Sequence, residues 1–184
     1  PAVSAEARAR LTDRGAQLHD VTLPPMPDDV IERHRPDAMR AHAPYQSTAG
    51  YGAVKPTDFA HLNNFAKLRL WQLECADRVV FLDADTIVLR NLDHLFETTL
   101  PFLAACDLNC ATFAKLTALN SGVFVTTPSA ATYEAMLERL RTDPRRWKRT
   151  DQSFLQAFFP DWNHLSSSYN TIQYRHLVAP LDLE

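Results

Sequence analysis

Arg78-Val79-Val80-Phe81-Leu82-Asp83-Ala84-Asp85-Thr86 is the stretch on which the reading of the whole chain turns. Arg78–Leu82 is a compact apolar run that reads as a strand. The run stops at two carboxylates separated by one small residue. Side chains at i and i+2 of an extended chain project to the same side, so Asp83 and Asp85 can face one ligand. The carboxyl end of a strand in an α/β sheet borders the usual ligand crevice. Two hard oxygen donors there suit Mg²⁺ or Mn²⁺, which keep coordination positions open for phosphate oxygens. Such a cation neutralises the negative charge that develops on a departing diphosphate. A solvated turn capping the next element explains an Asp-x-Asp triplet equally well on its own, and it is the apolar run in front that favours the ligand reading.

Working upstream, Thr57 or Asp58 caps a helix that runs to about Cys75. Phe59, Leu62, Phe65, Leu68, Leu70, Trp71 and Leu73 make it apolar around most of its circumference, as in a helix buried on more than one side. Lys67, Arg69 and Gln72 interrupt it, and a lysine on a buried side needs a partner. Residues 1–16 read as a helix stopped by Gly15, followed by a strand at Gln17–Leu23. Residues 24–56 are loop-rich, with one short helical piece at Asp28–His34.

Downstream, Thr86–Leu89 reads as a second short strand and Arg90–Asp93 as a turn. Pro101–Cys106 and Gly122–Thr126 read as further strands. Thr127-Pro128 opens a helix, with proline at the first helical position, and Tyr133, Met136, Leu137 and Leu140 line one face. Thr150 caps a last helix, Asp151–Phe159, which turns Phe154, Leu155, Phe158 and Phe159 inward and ends at Pro160. Strands alternating with helices predict a single α/β layered domain over residues 1–184.

Bulk properties narrow the class. A hydrophobic content of 46% argues against disorder. A net charge of −3 with pI near 6.2 gives no electrostatic case for nucleic acid or an anionic membrane surface. No apolar run approaches the ~20 residues of a membrane helix, and no signal peptide is visible. The 3 cysteines, an odd number, fit a reduced, cytoplasmic setting. Cys106 and Cys110 lack a second Cys or His pair at zinc spacing and read as buried thiols. His61, His94, His164 and His176 likewise have no metal-spaced partner.

Several blocks, in order, closely resemble the glycogenin-like and galactinol-synthase-like retaining transferases of glycosyltransferase family 8. They are Phe65–Trp71, Arg78–Asp85, Asn91–Phe96, Ala104–Asp107, Asn120–Val125 with Pro128-Ser129, and Asp151-Gln152. The resemblance implies a GT-A-like nucleotide-diphospho-sugar transferase fold, a mixed, mostly parallel sheet flanked by helices. It implies a UDP-sugar donor and Mn²⁺ or Mg²⁺ on Asp83 and Asp85. Lys67, Asp83, Ala84, Asp85 and Asp107 would line the nucleotide-sugar site. Asn120, Ser121 and Gly122 would shape the sugar pocket, and Asp151 and Gln152 would serve catalysis at the sugar's reacting face. A helix start tolerates an ionised Asp151, although acids are common in any first turn.

The resemblance also marks gaps. Family members begin with strands that hold the base, whereas Pro1–Arg10 already resembles the helix after them. The family's third metal ligand is a histidine in a segment that His176-Leu177-Val178-Ala179 does not match. The 184 residues are therefore expected to be a portion of a longer polypeptide, incomplete at both ends and lacking the first strands. The expected activity is transfer of a hexosyl unit, glucosyl or galactosyl, from a UDP-sugar to an acceptor (saccharide, polyol or protein). A second copy of the chain is a further candidate partner. One alternative is a non-catalytic nucleotide-sugar-binding scaffold. The other is a haloacid-dehalogenase-like phosphatase, but there the threonine falls two residues after the second aspartate, and Thr86 follows Asp85 directly.

Overall fold

The computed structural model describes residues 3–33, 61–106, 119–143 and 151–170. Asp107, Cys110, Thr57, Asp58, Thr150 and His176 therefore lie outside the described residues. Four strands form one sheet: β1 Val79–Leu82, β2 Phe102–Cys106, β3 Leu119–Thr126 and β4 Asn163–Leu165, in the order β1-β3-β2-β4. The helices are α1 Ala5–Thr12, α2 Asp28–Arg33, α3 His61–Asn64, α4 Ala130–Thr142 and α5 Asp151–Phe158. None is long and apolar enough to cross a membrane.

The sheet is mixed, as expected, but among the described residues it is not mostly parallel. β3 runs antiparallel to both β1 and β2, and only β2 with β4 is parallel. Apolar runs carry no information on strand direction, and the expectation of mostly parallel pairing came from the family resemblance.

Period-2 alternation in β2 and β3 splits the core in two. Phe102, Ala104, Cys106, Leu119 and Phe124 face a cluster completed by Phe65, Leu68, Trp71, Met136, Leu140, Phe154 and Leu155. Leu103, Ala105, Val123 and Val125 face a smaller one with Leu95 and Leu165. Trp71 organises the larger cluster, stacking on Phe124 at 5.8 Å and on Phe159 at 5.9 Å between ring centroids.

Four local expectations are corrected. The segment Phe65–Gln72, read as α-helix, is a 3₁₀ helix. Its three-residue turn stacks Phe65, Leu68 and Trp71 in one line, and these are its buried residues. The strand expected at Thr86–Leu89 does not form. Thr86 closes a turn on Asp83 O through its N–H at 3.0 Å and its Oγ1 at 2.7 Å, so the chain leaves the sheet with Ile87 83% exposed. Gln17–Leu23 is not a strand either. It is tied down by Arg69, whose guanidinium donates to Thr22 O and Leu23 O. Finally, α4 starts at Ala130, two residues beyond Pro128. Ser129 caps it, its Oγ accepting from Thr132 N at 3.2 Å, a bond worth about 1 kcal/mol. Gly15 does stop the first helix, in the left-handed region at φ 87°.

Candidate active site

The ladder delivers the site. Pairing of Leu82 with Val123 brings the next residue, Asp83, beside Gly122, and Asp83 N donates to Gly122 O at 2.8 Å. From the other side of β3, α5 opens at Asp151, an acid at the favourable end of the helix dipole and only 1% exposed. The 3₁₀ segment sends Lys67 into the space between them.

Lys67 is the hub. Its ammonium lies 2.9 Å from Asp83 Oδ1, 3.2 Å from Asp83 Oδ2 and 3.1 Å from Asp151 Oδ2. It also donates to Ser121 O at 3.1 Å and sits 5.1 Å from the centre of the Phe81 ring. Ser121 Oγ donates to Asp151 Oδ2 at 2.8 Å, and Ser121 N donates to Gln152 Oε1 at 3.3 Å. The buried lysine flagged in the sequence thus has two carboxylate partners, from two other elements.

Asn120 to Gly122, at the start of β3, are closely built. Gly122 N donates to Asn120 Oδ1 at 2.8 Å, and the amide of Asn170 donates to the same oxygen at 2.7 Å. A Cβ on Gly122 would stand 3.0 Å from Asn120 Oδ1 and 3.3 Å from Asp83 Oδ2. A side chain here would press on both the carboxylate and the amide, which would have to give by a few tenths of an ångström.

The structure therefore brings together Lys67, Asp83, Asn120, Ser121, Gly122, Asp151 and Gln152. Ala84 and Asp85 lie in the turn at the rim, exposed. Sequence reasoning missed Asn170. The only available signal was its polar type in a Ser-rich stretch, and nothing local points from residue 170 to residue 120.

Burial pushes the Asp83 carboxyl above the usual carboxylate range. Lys67 pulls it down, while the charges of Asp151 and Asp85 add to the rise. Direct contact with an ammonium ordinarily lowers a carboxylate, so here desolvation outweighs the pair. A folded carboxyl held above its unfolded value of 3.8 keeps its proton while the unfolded chain sheds it. Stability accordingly falls as pH rises through that window and stays reduced above it. Asp83→Asn, a neutral isostere, is expected to melt at the same or a higher temperature than the unmodified protein at pH 7, with the difference shrinking toward pH 4. Calorimetry showing a drop of several degrees at pH 7 would mean the Lys67 pair outweighs burial.

One ammonium against the carboxylates of Asp83, Asp85 and Asp151 leaves the cluster negative. Asp83 and Asp85 offer hard oxygens two residues apart at the turn that follows β1. This donor set fits a hard divalent cation with coordination positions left for other oxygens. Among the described residues no group of three or more His, Cys, Asp or Glu is placed to hold a metal ion.

The family model described as Glycosyl transferase family 8 matches residues 45–177, more than half the chain. The chain is similar to glycogenin-1 of Caenorhabditis elegans, 40% identical over 105 residues, covering 57% of this chain and 23% of that protein. It is also similar to UDP-glucuronate:xylan alpha-glucuronosyltransferase 2 of Arabidopsis thaliana, 36% identical over 110 residues, covering 60% of this chain and 17% of the relative. Among solved structures, the glycosyltransferase GlyE of Streptococcus pneumoniae TIGR4 superposes with a TM-score of 0.50 at 25% identity. That match covers 62% of this chain and 31% of GlyE. The chain thus spans less than a quarter of the length of either curated relative.

Proposed function

The chain belongs to glycosyl transferase family 8, and on that premise we propose that it transfers a hexosyl unit from a UDP-sugar to a hydroxyl acceptor with retention of configuration. The observation that carries this reading is the convergence of Lys67, Asp83, Ser121 and Asp151 at the end of β1. Asp83 and Asp85 would hold Mn²⁺ or Mg²⁺. When bound, that ion supplies positive charge to the diphosphate as the sugar departs.

The chain's own residues do the rest. Lys67 holds Asp83 in place and adds positive charge on the phosphate side of the cleft. Asn120, Ser121 and Gly122 lie at the start of β3 beside Asp83, where the sugar would meet the edge of the strand. Asp151 is buried and acts through its field, favouring positive charge on the reacting carbon. Gln152, whose Oε1 is fixed by Ser121 N, orients the donor.

Titrating the protein with UDP, with and without Mn²⁺, tests the reading, followed by assays of UDP release from UDP-glucose, UDP-galactose and UDP-glucuronate. The last donor is included because the plant relative carries it in its name. The proposal expects metal-dependent UDP binding and turnover of at least one donor. Equal affinity in a chelator would overturn the metal-held diphosphate, and binding without turnover would leave a scaffold. Gln152→Ala is expected to slow turnover by about 10²-fold, the scale of one lost positioning or polar contact at a reacting centre, with UDP affinity changed less than about threefold. A large loss of UDP affinity instead would contradict a role at the sugar.

A further inference from the structure

Asn170 ends the short 3₁₀ turn Ser167–Asn170, on a different element from every residue assigned to the site above. Its Nδ2 lies 2.7 Å from Asn120 Oδ1, and a Cβ on Gly122 would come within 3.4 Å of it. Asn120 Oδ1 thereby receives two donors, Gly122 N and the Asn170 amide, which uses both of its lone pairs. The assignment of oxygen and nitrogen on Asn120 is fixed by chemistry, because a backbone N–H can only donate. The preceding residue is anchored independently: Tyr169 Oη and His94 Nε2 are 2.7 Å apart, and Tyr169 packs on the smaller core cluster. The turn therefore holds Asn170 from the core side while Asn170 holds Asn120.

We propose that Asn170 is a positioning residue for the donor sugar, acting through Asn120 to fix the Asn120–Gly122 start of β3 against Asp83. This rests on the transferase reading above. A free Asn120 side chain would exchange rotamers, and its amide would no longer be preorganised for sugar hydroxyls. On that reading the diphosphate is held chiefly by the cation on Asp83 and Asp85, so the larger effect falls on the sugar.

The test compares Asn170→Ala with Asn170→Asp. Aspartate keeps the shape but replaces the donor with an acceptor facing Asn120 Oδ1, so a packing role predicts that it performs nearly like the unmodified protein. A hydrogen-bond role predicts that it performs worse than alanine. Expected are a drop of about tenfold in kcat/KM for UDP-sugar hydrolysis with alanine and a larger drop with aspartate. The affinity for UDP itself with Mn²⁺ stays within about twofold, and the Gly122 amide resonance shifts in both variants. If Asn170→Asp turns over like the unmodified protein, the inference falls and the transferase reading stands. An unmodified protein that hydrolyses no UDP-sugar removes that reading, and this inference with it.

Discussion

Lys67→Met is expected to lower stability by about 3–5 kcal/mol, the cost of leaving a buried charge without its partner. At about 2–4 °C per kcal/mol for a chain of this size, melting should fall by roughly 6–20 °C. Methionine matches the length of the lysine stem, so little volume is lost and the effect is electrostatic. The side chain of Lys67 is 11% exposed and that of Asp151 2%, so water cannot take over the ammonium's role. Asp151 would keep only the Ser121 hydroxyl among the donors described here. A double change, Lys67→Met with Asp151→Asn, should recover much of the loss, because neutralising both ends removes the orphaned charge. Calorimetry of Lys67→Met, Asp151→Asn and the double variant decides it. A single-variant loss under about 1 kcal/mol, or a double variant worse than both singles added, would show that the pair does not govern the site.

The same residue shows how much of this protein can be read from its sequence. Phe65 to Trp71 announced a buried segment, and Lys67 within it announced a need for a counter-charge. Neither announced which acids would answer, since Asp83 and Asp151 reach Lys67 only through the β1–β3 pairing and the docking of α5 on β3. β2, β3, α4 and α5 were legible because each buries a run or stripe of apolar side chains, and β1 because its apolar run packs half-buried at the edge of the sheet. The 3₁₀ geometry was not, because spacings of three and four give similar patterns when a helix is apolar most of the way round. β4 was missed because Asn163-His164-Leu165 is short and mostly polar, and its partner, β2, is distant in the chain. Ile87-Val88-Leu89 misled in the opposite sense. It has the composition of a strand, but the Asp83–Thr86 turn takes it out of the sheet. Asp83 and Asp85 were found by an i, i+2 argument suited to a strand, yet a turn presents them.

That turn shapes the second large effect. Asp85→Asn is expected to weaken Mn²⁺-dependent UDP binding by at least about 100-fold, the upper range for losing even a residue that only supports a metal ligand. The melting temperature should hardly move, because an exposed substitution with no buried partner usually stays within about 0.5 kcal/mol. The asymmetry between the two aspartates is what makes this test sharp. Asp83 already has an ammonium on both oxygens and a carboxyl pushed up by burial, so it is a poor ligand on its own. Asp85 sits at the exposed rim, and among the described residues no ion pair engages it. A cation arriving with a diphosphate would draw most of its protein charge from Asp85, with Asp83 as the second donor. Manganese binding followed by its paramagnetic resonance signal separates metal loss from nucleotide loss without relying on turnover. If Asp85→Asn binds Mn²⁺ and UDP as the unmodified protein does, the ion is not held by this pair, and the charge that balances the leaving diphosphate must come from Lys67 instead.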